Sequence, residues 1–278
     1  MLIFGLGYTA KVIAARLRAK GWMIRATGRD GDFDFADRAA VESALAGASH
    51  VLSSVPPDPA GGEPVLDAYG GSLTGKWLGY LSSTGVYGDT GGAWVDESAA
   101  LVGFGGTGRR TARAQADRAW QEAGAHVFRL PGIYGPGRSP LDRVASGAAH
   151  RIDLSGQVFS RIHIEDIARG VIAAFAAPAG VYNLADDLPA SHNAVIEEAC
   201  RLLGREPPPL LGLEEAKLSP MARAFYAENR RVANGKAQRV LGWAPGYPTY
   251  VEGLRALSAI TSPASASAPP PAASSVQR

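Results

Sequence analysis

A chain of 278 residues, 46% hydrophobic and 19% charged, suits one large domain or a domain with a smaller lobe, and its composition is that of an ordinary globular protein. A formal net charge of +2 from dispersed basic residues argues against nucleic acid or an acidic membrane surface as partner. With one cysteine, Cys200, no internal disulfide can form, and no leader or bilayer-length apolar run is visible, so the expectation is a cytoplasmic protein with no membrane partner.

Met1 to Phe4 is an apolar run that stops at Gly5-Leu6-Gly7. Tyr8, Thr9 and Ala10 then lead into a segment whose Val12, Ile13, Ala14 and Leu17 share one helical face. Strand, glycine turn and helix in that order form the setting that holds a dinucleotide pyrophosphate. Gly5 allows the tight turn, the missing side chain of Gly7 lets backbone approach the phosphates, and Ala10 keeps helix and strand close. An ordinary glycine turn would read the same way, so the rest of the chain has to decide. Residues 22–27 read as the second strand, Gly28 to Asp32 as a loop, and Phe33 to Phe35 as a short strand. A helix from Asp37 to Ala46 turns Val41 and Leu45 inward. Val51 to Val55 is a strand halted by Pro56 and Pro57, and Val65 to Leu73 is a short helix. Trp77 to Ser82 and Gly124 to Leu130 are further strands, the latter stopped by Pro131. Strands alternating with helices at this spacing imply an α/β fold with a doubly wound parallel sheet.

The second half changes character. Ile164 to Ala176 is a helix opened by Glu165 and Asp166, residues 181–185 are a strand, and Asn193 to Leu203 is a helix ended by Gly204. Glu206 to Pro209 must be extended. Residues 219–230 and 235–241 read as helices, and 250–257 as the last one. From Ser258 the chain is almost entirely Ala, Ser and Pro, which predicts a disordered tail over 258–278.

Four segments, in this order, resemble the extended branch of the short-chain dehydrogenase/reductase superfamily, the group that includes NAD-dependent epimerases and dehydratases. They are GLGYTA at the N-terminus, LSSTGVYGD at Leu81 to Asp89, RLPGIYGPGR at Arg129 to Arg138 and SRIHIEDIA at Ser160 to Ala168. The resemblance covers roughly residues 1–257. It implies a Rossmann-type core made of residues 1–135 and 161–185, with a smaller C-terminal substrate lobe made of 136–160 and 186–257. It also implies that Gly5, Leu6, Gly7, Tyr8, Thr9 and Ala10 hold a pyrophosphate and that Asp34 and Phe35 frame an adenine. Ser53, Ser54, Val55 and Ser82 would line the ribose and pyrophosphate, and Pro131, Gly132 and Ile133 the nicotinamide amide. Ser83, three residues before Val86, takes the place of the family's catalytic Ser or Thr. The implied partner is a small carbonyl or sugar-nucleotide substrate, with no metal, and helices flanking the LSSTGVYG strand imply a homodimer.

The second strand ends Ala26-Thr27-Gly28-Arg29. An enzyme of this fold that selects NAD carries an acid at that strand end for the ribose 2′-hydroxyl. Here the acid's place falls on Gly28 and a guanidinium follows, so the reading favours NADP(H) over NAD(H). Asp30 and Asp32 remain as alternative ribose acceptors.

The resemblance also exposes an omission. The superfamily's proton transfer uses a Tyr and a Lys four residues later, and those places fall at about Arg109 and Arg113. An arginine exchanges no proton at neutral pH. Tyr87 and Tyr134 look like packing residues and His163 like a structural histidine. Arg109, Arg110 and Arg113 read either as a solvated helix face or as a grip on an anionic substrate. Two functions therefore stay open: an enzyme with a displaced acid/base, or a nucleotide-binding sensor without turnover.

Overall fold

The computed structural model describes residues 1–103, 108–218, 223 and 226–261. Its centre is a six-stranded parallel sheet of β1 (Leu2–Phe4), β2 (Arg25–Ala26), β3 (His50–Ser53), β4 (Trp77–Ser83), β6 (His126–Leu130) and β10 (Gly180–Asn183). Across the sheet the order is β10-β6-β4-β3-β1-β2. β1 carries β2 on one side, Leu2 opposite Arg25, and β3 on the other, Leu2 opposite Val51. The chain therefore reverses its winding at β1, and a crevice opens beyond the carboxyl ends of β1 and β3.

Leu2, Ile3 and Phe4 are fully buried because helices cover both faces of the sheet. On one face α1 (Tyr8–Arg18) and α6 (Ile164–Ala173) pack through Ile13, Leu17, Ile167 and Val171. On the other, α2 (Arg38–Ala46), α3 (Pro64–Tyr69) and α4 (Arg109–Glu122) contribute Val41, Leu45, Val65 and Trp120. Asp37 starts α2 by accepting from the Ala40 N–H at 3.0 Å. A separate cluster joins α5 (Pro140–Ala145), α7 (His192–Leu203) and the last helix through Leu141, Val144, Ile196, Cys200 and Leu254. α7 ends where Gly204 takes a left-handed φ of 61°.

Several expectations change. The strand at Phe33 to Phe35 is only a bridge between Thr27 and Phe33. The reason is local: the Asp32 carboxylate takes the Ala26 N–H at 2.7 Å, closing the loop with a side chain where a ladder would need backbone. The helix expected over 219–230 falls partly outside the described residues, and its end is wrong. Glu228 to Arg230 are irregular, and β12 (Arg231–Val232) pairs in parallel with β5 (Trp94–Val95). Residues 258–261, expected in the tail, instead belong to the last helix, Tyr250–Thr261, with Ser258 buried; residues 262–278 lie outside the described residues. Two more short parallel pairs went unpredicted, β7 (Gly132–Tyr134) with β9 (Arg161–His163), and β8 (Arg151–Ile152) with β11 (Leu210–Leu211).

Candidate active site

Gly5 sits at φ 83°, and a Cβ there would lie 3.1 Å from the Ser54 hydroxyl, so the turn needs glycine for both conformation and space. Thr27, buried at the end of β2, fixes the turn. Its hydroxyl accepts from the Gly5 N–H at 3.1 Å and its carbonyl from the Leu6 N–H at 2.9 Å. Ser54 donates to the Gly5 carbonyl at 2.5 Å. Gly7 caps α1 with an ordinary φ of −81°, and a Cβ on it would meet nothing within 4 Å. No side chain caps α1, so its first N–H groups face open space beside Gly7. The residues present fit a phosphate. Tyr8 donates to the Pro136 carbonyl at 3.0 Å and lies under the Arg138 guanidinium, while Ala10 is fully buried against the sheet.

In the loop after β2, Gly28 has φ 118° and sits where a Cβ would come within 3.3 Å of the Leu6 nitrogen. Asp30 is drawn away by an ion pair with Lys11 at 2.5 Å, which holds its carboxyl below the usual range. Asp32 is engaged with the Ala26 N–H. Arg29 is exposed and makes no hydrogen bond or ion pair with the described residues. Asp34 is exposed and accepts from the Ala36 N–H at 2.9 Å, and Phe35 packs edge-on against Phe4 and Tyr69. Ser53 is fully buried and Val55 packs beside Gly5.

Alternation along β4 sends Ser82 and Ser83 to opposite faces. Ser82 turns inward and donates to Asp117 at 2.5 Å. The same carboxylate receives Arg129 bidentately, at 2.8 and 3.1 Å, with Arg129 and Asp117 only 2% and 0% exposed. Tyr87 completes this network by accepting from Arg129 at 3.0 Å and donating to Asn183 at 2.7 Å, and burial pushes its pKa up to about 12. Ser83 instead faces a cavity of about 490 Å³ beyond the carboxyl ends of β4 and β6. Its Oγ accepts from the Gly85 N–H at 3.1 Å, which leaves its proton available to a ligand oxygen.

The cavity brings Ser83 together with Pro131 and Gly132, and α4 supplies Arg109, Arg110 and Arg113 to its wall. Ile133 packs into the core, and the glycine turn, Arg29, Asp34, Phe35 and Ser53 to Val55 lie outside the cavity. Glu228 and Arg230 also line it. Glu228 pairs with both Arg110 and Arg230. His163 is not at the wall. Its Nδ1 accepts from the Glu165 N–H at 3.3 Å as the cap of α6, and burial lowers its pKa. Tyr134 is buried and its hydroxyl has no partner among the described residues.

No family model matches the chain. It is 28% identical over 178 residues to a 3-diazoavenalumate denitrifying reductase from Streptomyces, a match covering 58% of each chain, so the alignment spans little more than half of that relative. Among solved structures, a functionally unknown conserved protein from Silicibacter pomeroyi superposes with TM-score 0.82 at 42% identity, covering 93% of this chain and 98% of that one. The UDP-glucose 4-epimerase of Thermotoga maritima with UDP-glucose gives TM-score 0.75 at 14% identity, covering 93% and 97%. Human epimerase family protein SDR39U1 with NADPH gives 0.68 at 16%, covering 93% and 99%. Sheet order and crevice define the Rossmann-type architecture of the epimerase and dehydratase structures. The chain belongs to the family of the Silicibacter pomeroyi protein.

Proposed function

We propose that the chain is an NADP(H)-dependent oxidoreductase or epimerase-like enzyme acting on a small carbonyl or sugar-nucleotide-type substrate. The observation that carries the nucleotide assignment is the loop after β2. Both of its candidate ribose acids are engaged elsewhere, Asp30 by Lys11 and Asp32 by the Ala26 N–H, while Arg29 forms no ion pair among the described residues. A guanidinium in that place favours a 2′-phosphate, which a carboxylate would repel. Similar solved structures hold NAD in some cases and NADPH in one, so the class of cofactor has support from several relatives and its phosphate from this loop. Gly5 to Ala10 would hold the pyrophosphate, and when bound the nicotinamide supplies or accepts a hydride. Ser83 donates a hydrogen bond to the reacting oxygen of a substrate in the cavity, next to Pro131 and Gly132. Arg109 and Arg113 stabilise charge there without exchanging protons.

The second reading, a nucleotide-binding module without turnover, draws on the same α4 wall, where neither tyrosine nor lysine is present. Two measurements decide. Arg29→Ala should weaken NADPH binding by about ten-fold and leave NADH binding nearly unchanged, consistent with loss of a charge-assisted phosphate contact. Equal NADPH affinity in the variant overturns the assignment. A screen of carbonyl and sugar-nucleotide substrates, followed by NADPH absorbance, should find turnover that Ser83→Ala abolishes; nucleotide binding with no turnover across the screen supports the sensor.

A further inference from the structure

The first turn of α4 contradicts the electrostatics of its own helix. Arg109, Arg110 and Arg113 stand at its N-terminal end, where the backbone dipole is positive, and no acidic residue lies in that turn. Gly108 precedes them at φ 91° and offers no side-chain cap. Arg109 and Arg113 are four residues apart and share a face, an arrangement of like charges that destabilises an isolated helix by about as much as an ion pair there would stabilise it. All three line the cavity that holds Ser83.

Counter-charge accounts for only part of this. Glu228 is the one acid on the cavity wall, and it is shared by Arg110 and Arg230. Arg109 forms no ion pair among the described residues. The neighbour of Arg113 is the buried phenol of Tyr80, whose pKa it pulls down against the upward effect of burial. The Arg109 and Arg113 guanidiniums and an available serine hydroxyl therefore line one cavity, and among the described residues no carboxylate pairs with either guanidinium. By contrast, both buried arginines among the described residues are answered: Arg129 bidentately by Asp117, and Arg161 by the carbonyls of Phe159 and Ala190.

We infer that Arg109 and Arg113 form an oxyanion subsite, and that the substrate presents a carboxylate or phosphate group to them. Planar forks with several N–H donors suit two-oxygen groups, and the cavity wall away from α4 is largely uncharged at Val158, Phe159 and Val232, which suits an apolar or neutral remainder. The inference rests on the proposed enzyme reading for the meaning of the subsite, though the binding itself does not depend on that reading.

The test is calorimetric titration of the full chain with inorganic phosphate and, separately, with malonate, each with and without saturating NADPH. NADPH occupies the competing phosphate cradle at the glycine turn, so anion binding that persists in its presence belongs to the cavity. Arg109→Gln with Arg113→Gln should weaken the preferred anion by about ten-fold or more while NADPH affinity stays within about two-fold. Arg118→Gln, on the same helix but outside the cavity and paired with Glu122, serves as the folded control and should bind as the parent does. A doubly substituted Arg109→Lys, Arg113→Lys chain keeps the charge and should recover part of the affinity, least for malonate, whose paired oxygens use the forks. Preference for malonate identifies a carboxylate substrate and preference for phosphate a phosphorylated one. Parent protein that binds neither anion in the presence of NADPH, or a double glutamine variant that binds as well as the parent, overturns the subsite. Should NADPH itself fail to bind the parent, the enzyme reading falls, and the anion titrations without nucleotide still decide the subsite.

Discussion

The two ends of the crevice are built from different material. At the β1 end the surface offered to a ligand is backbone: Gly5, Leu6 and Gly7, pinned from behind by Thr27 and Ser54, with no ionised side chain in the turn. At the α4 end it is side chain, a wall of guanidiniums around Ser83. A backbone site is defined by where side chains are missing, so it depends on a few glycines and a turn geometry. A side-chain site is redefined by any single substitution that keeps the helix. This chain fits the short-chain dehydrogenase/reductase pattern that its motifs resemble at the first end and departs from it at the second, and that is the order of robustness the two materials predict.

The largest expected effect separates the arginines of α4's surroundings by burial. Asp117→Ala leaves Arg129 charged and 2% exposed with its carboxylate gone, and should cost about 3–5 kcal/mol in urea denaturation. Arg109→Gln, at an exposed position with no ion pair, should change stability by less than about 0.5 kcal/mol. If the two variants unfold at similar urea concentrations, the division into structural and ligand-facing arginines is wrong.

Next in size is a contrast within the glycine turn. Gly5→Ala places a Cβ at positive φ and 3.1 Å from Ser54, and should lose about 1–2 kcal/mol of stability. Gly7→Val meets no atom within 4 Å at an ordinary φ, so it should cost no more than about 1 kcal/mol as a poorer helix cap. It should nonetheless weaken NADPH binding by about ten-fold or more, since its side chain occupies the space beside the first N–H groups of α1. Thermal melts and nucleotide titrations on the same two samples read both effects. A Gly7→Val protein with undiminished NADPH affinity would remove the cradle from the proposal.

This difference in material also explains what the sequence disclosed. The alternation of apolar runs, helix faces and glycine punctuation is local, so the parallel sheet, the turn at Gly5 and the α2 start at Asp37 were readable from spacing. Ser83 and Ser82 looked equivalent in the string, and only the pleat of β4 sends one into the cavity and the other to Asp117. Thr27 carried no motif, because its role comes from β2 lying beside β1 in space. Glu228 meets Arg110 from 118 residues away, a pairing that no local pattern encodes. The short strand pair β5–β12 escaped for the same reason: two residues on each side hold together only because the surrounding lobe brings them into register.

The smallest expected effect lies just behind the cavity and opposes a pH-insensitive wall to a pH-sensitive lining. Phe159, on the cavity, packs edge-on against Tyr226, whose hydroxyl is 3.1 Å from His150 Nε2, and the His150 and His192 rings are 5.1 Å apart. Burial first, then the nearby charges of His150, Arg161 and Arg143, hold His192 down at about 3. An unfolded histidine takes up its proton near pH 6.5, whereas this one in the folded chain stays neutral until far lower. Between those values the unfolded state binds the extra proton, so stability must fall as pH falls from 6.5. The expected loss is up to about 1 kcal/mol for each pH unit below 6.5, and His192→Gln should remove that part of the slope in urea melts at pH 7 and pH 5. Some slope should remain, because burial also lowers His150 and His163. Guanidiniums keep their charge across the same interval, so the α4 wall stays positive while the stability of the lobe behind it changes. A variant whose stability falls with acid as steeply as the parent's would mean that His192 is protonated in the folded chain, and that the cavity's far side carries a positive charge of its own.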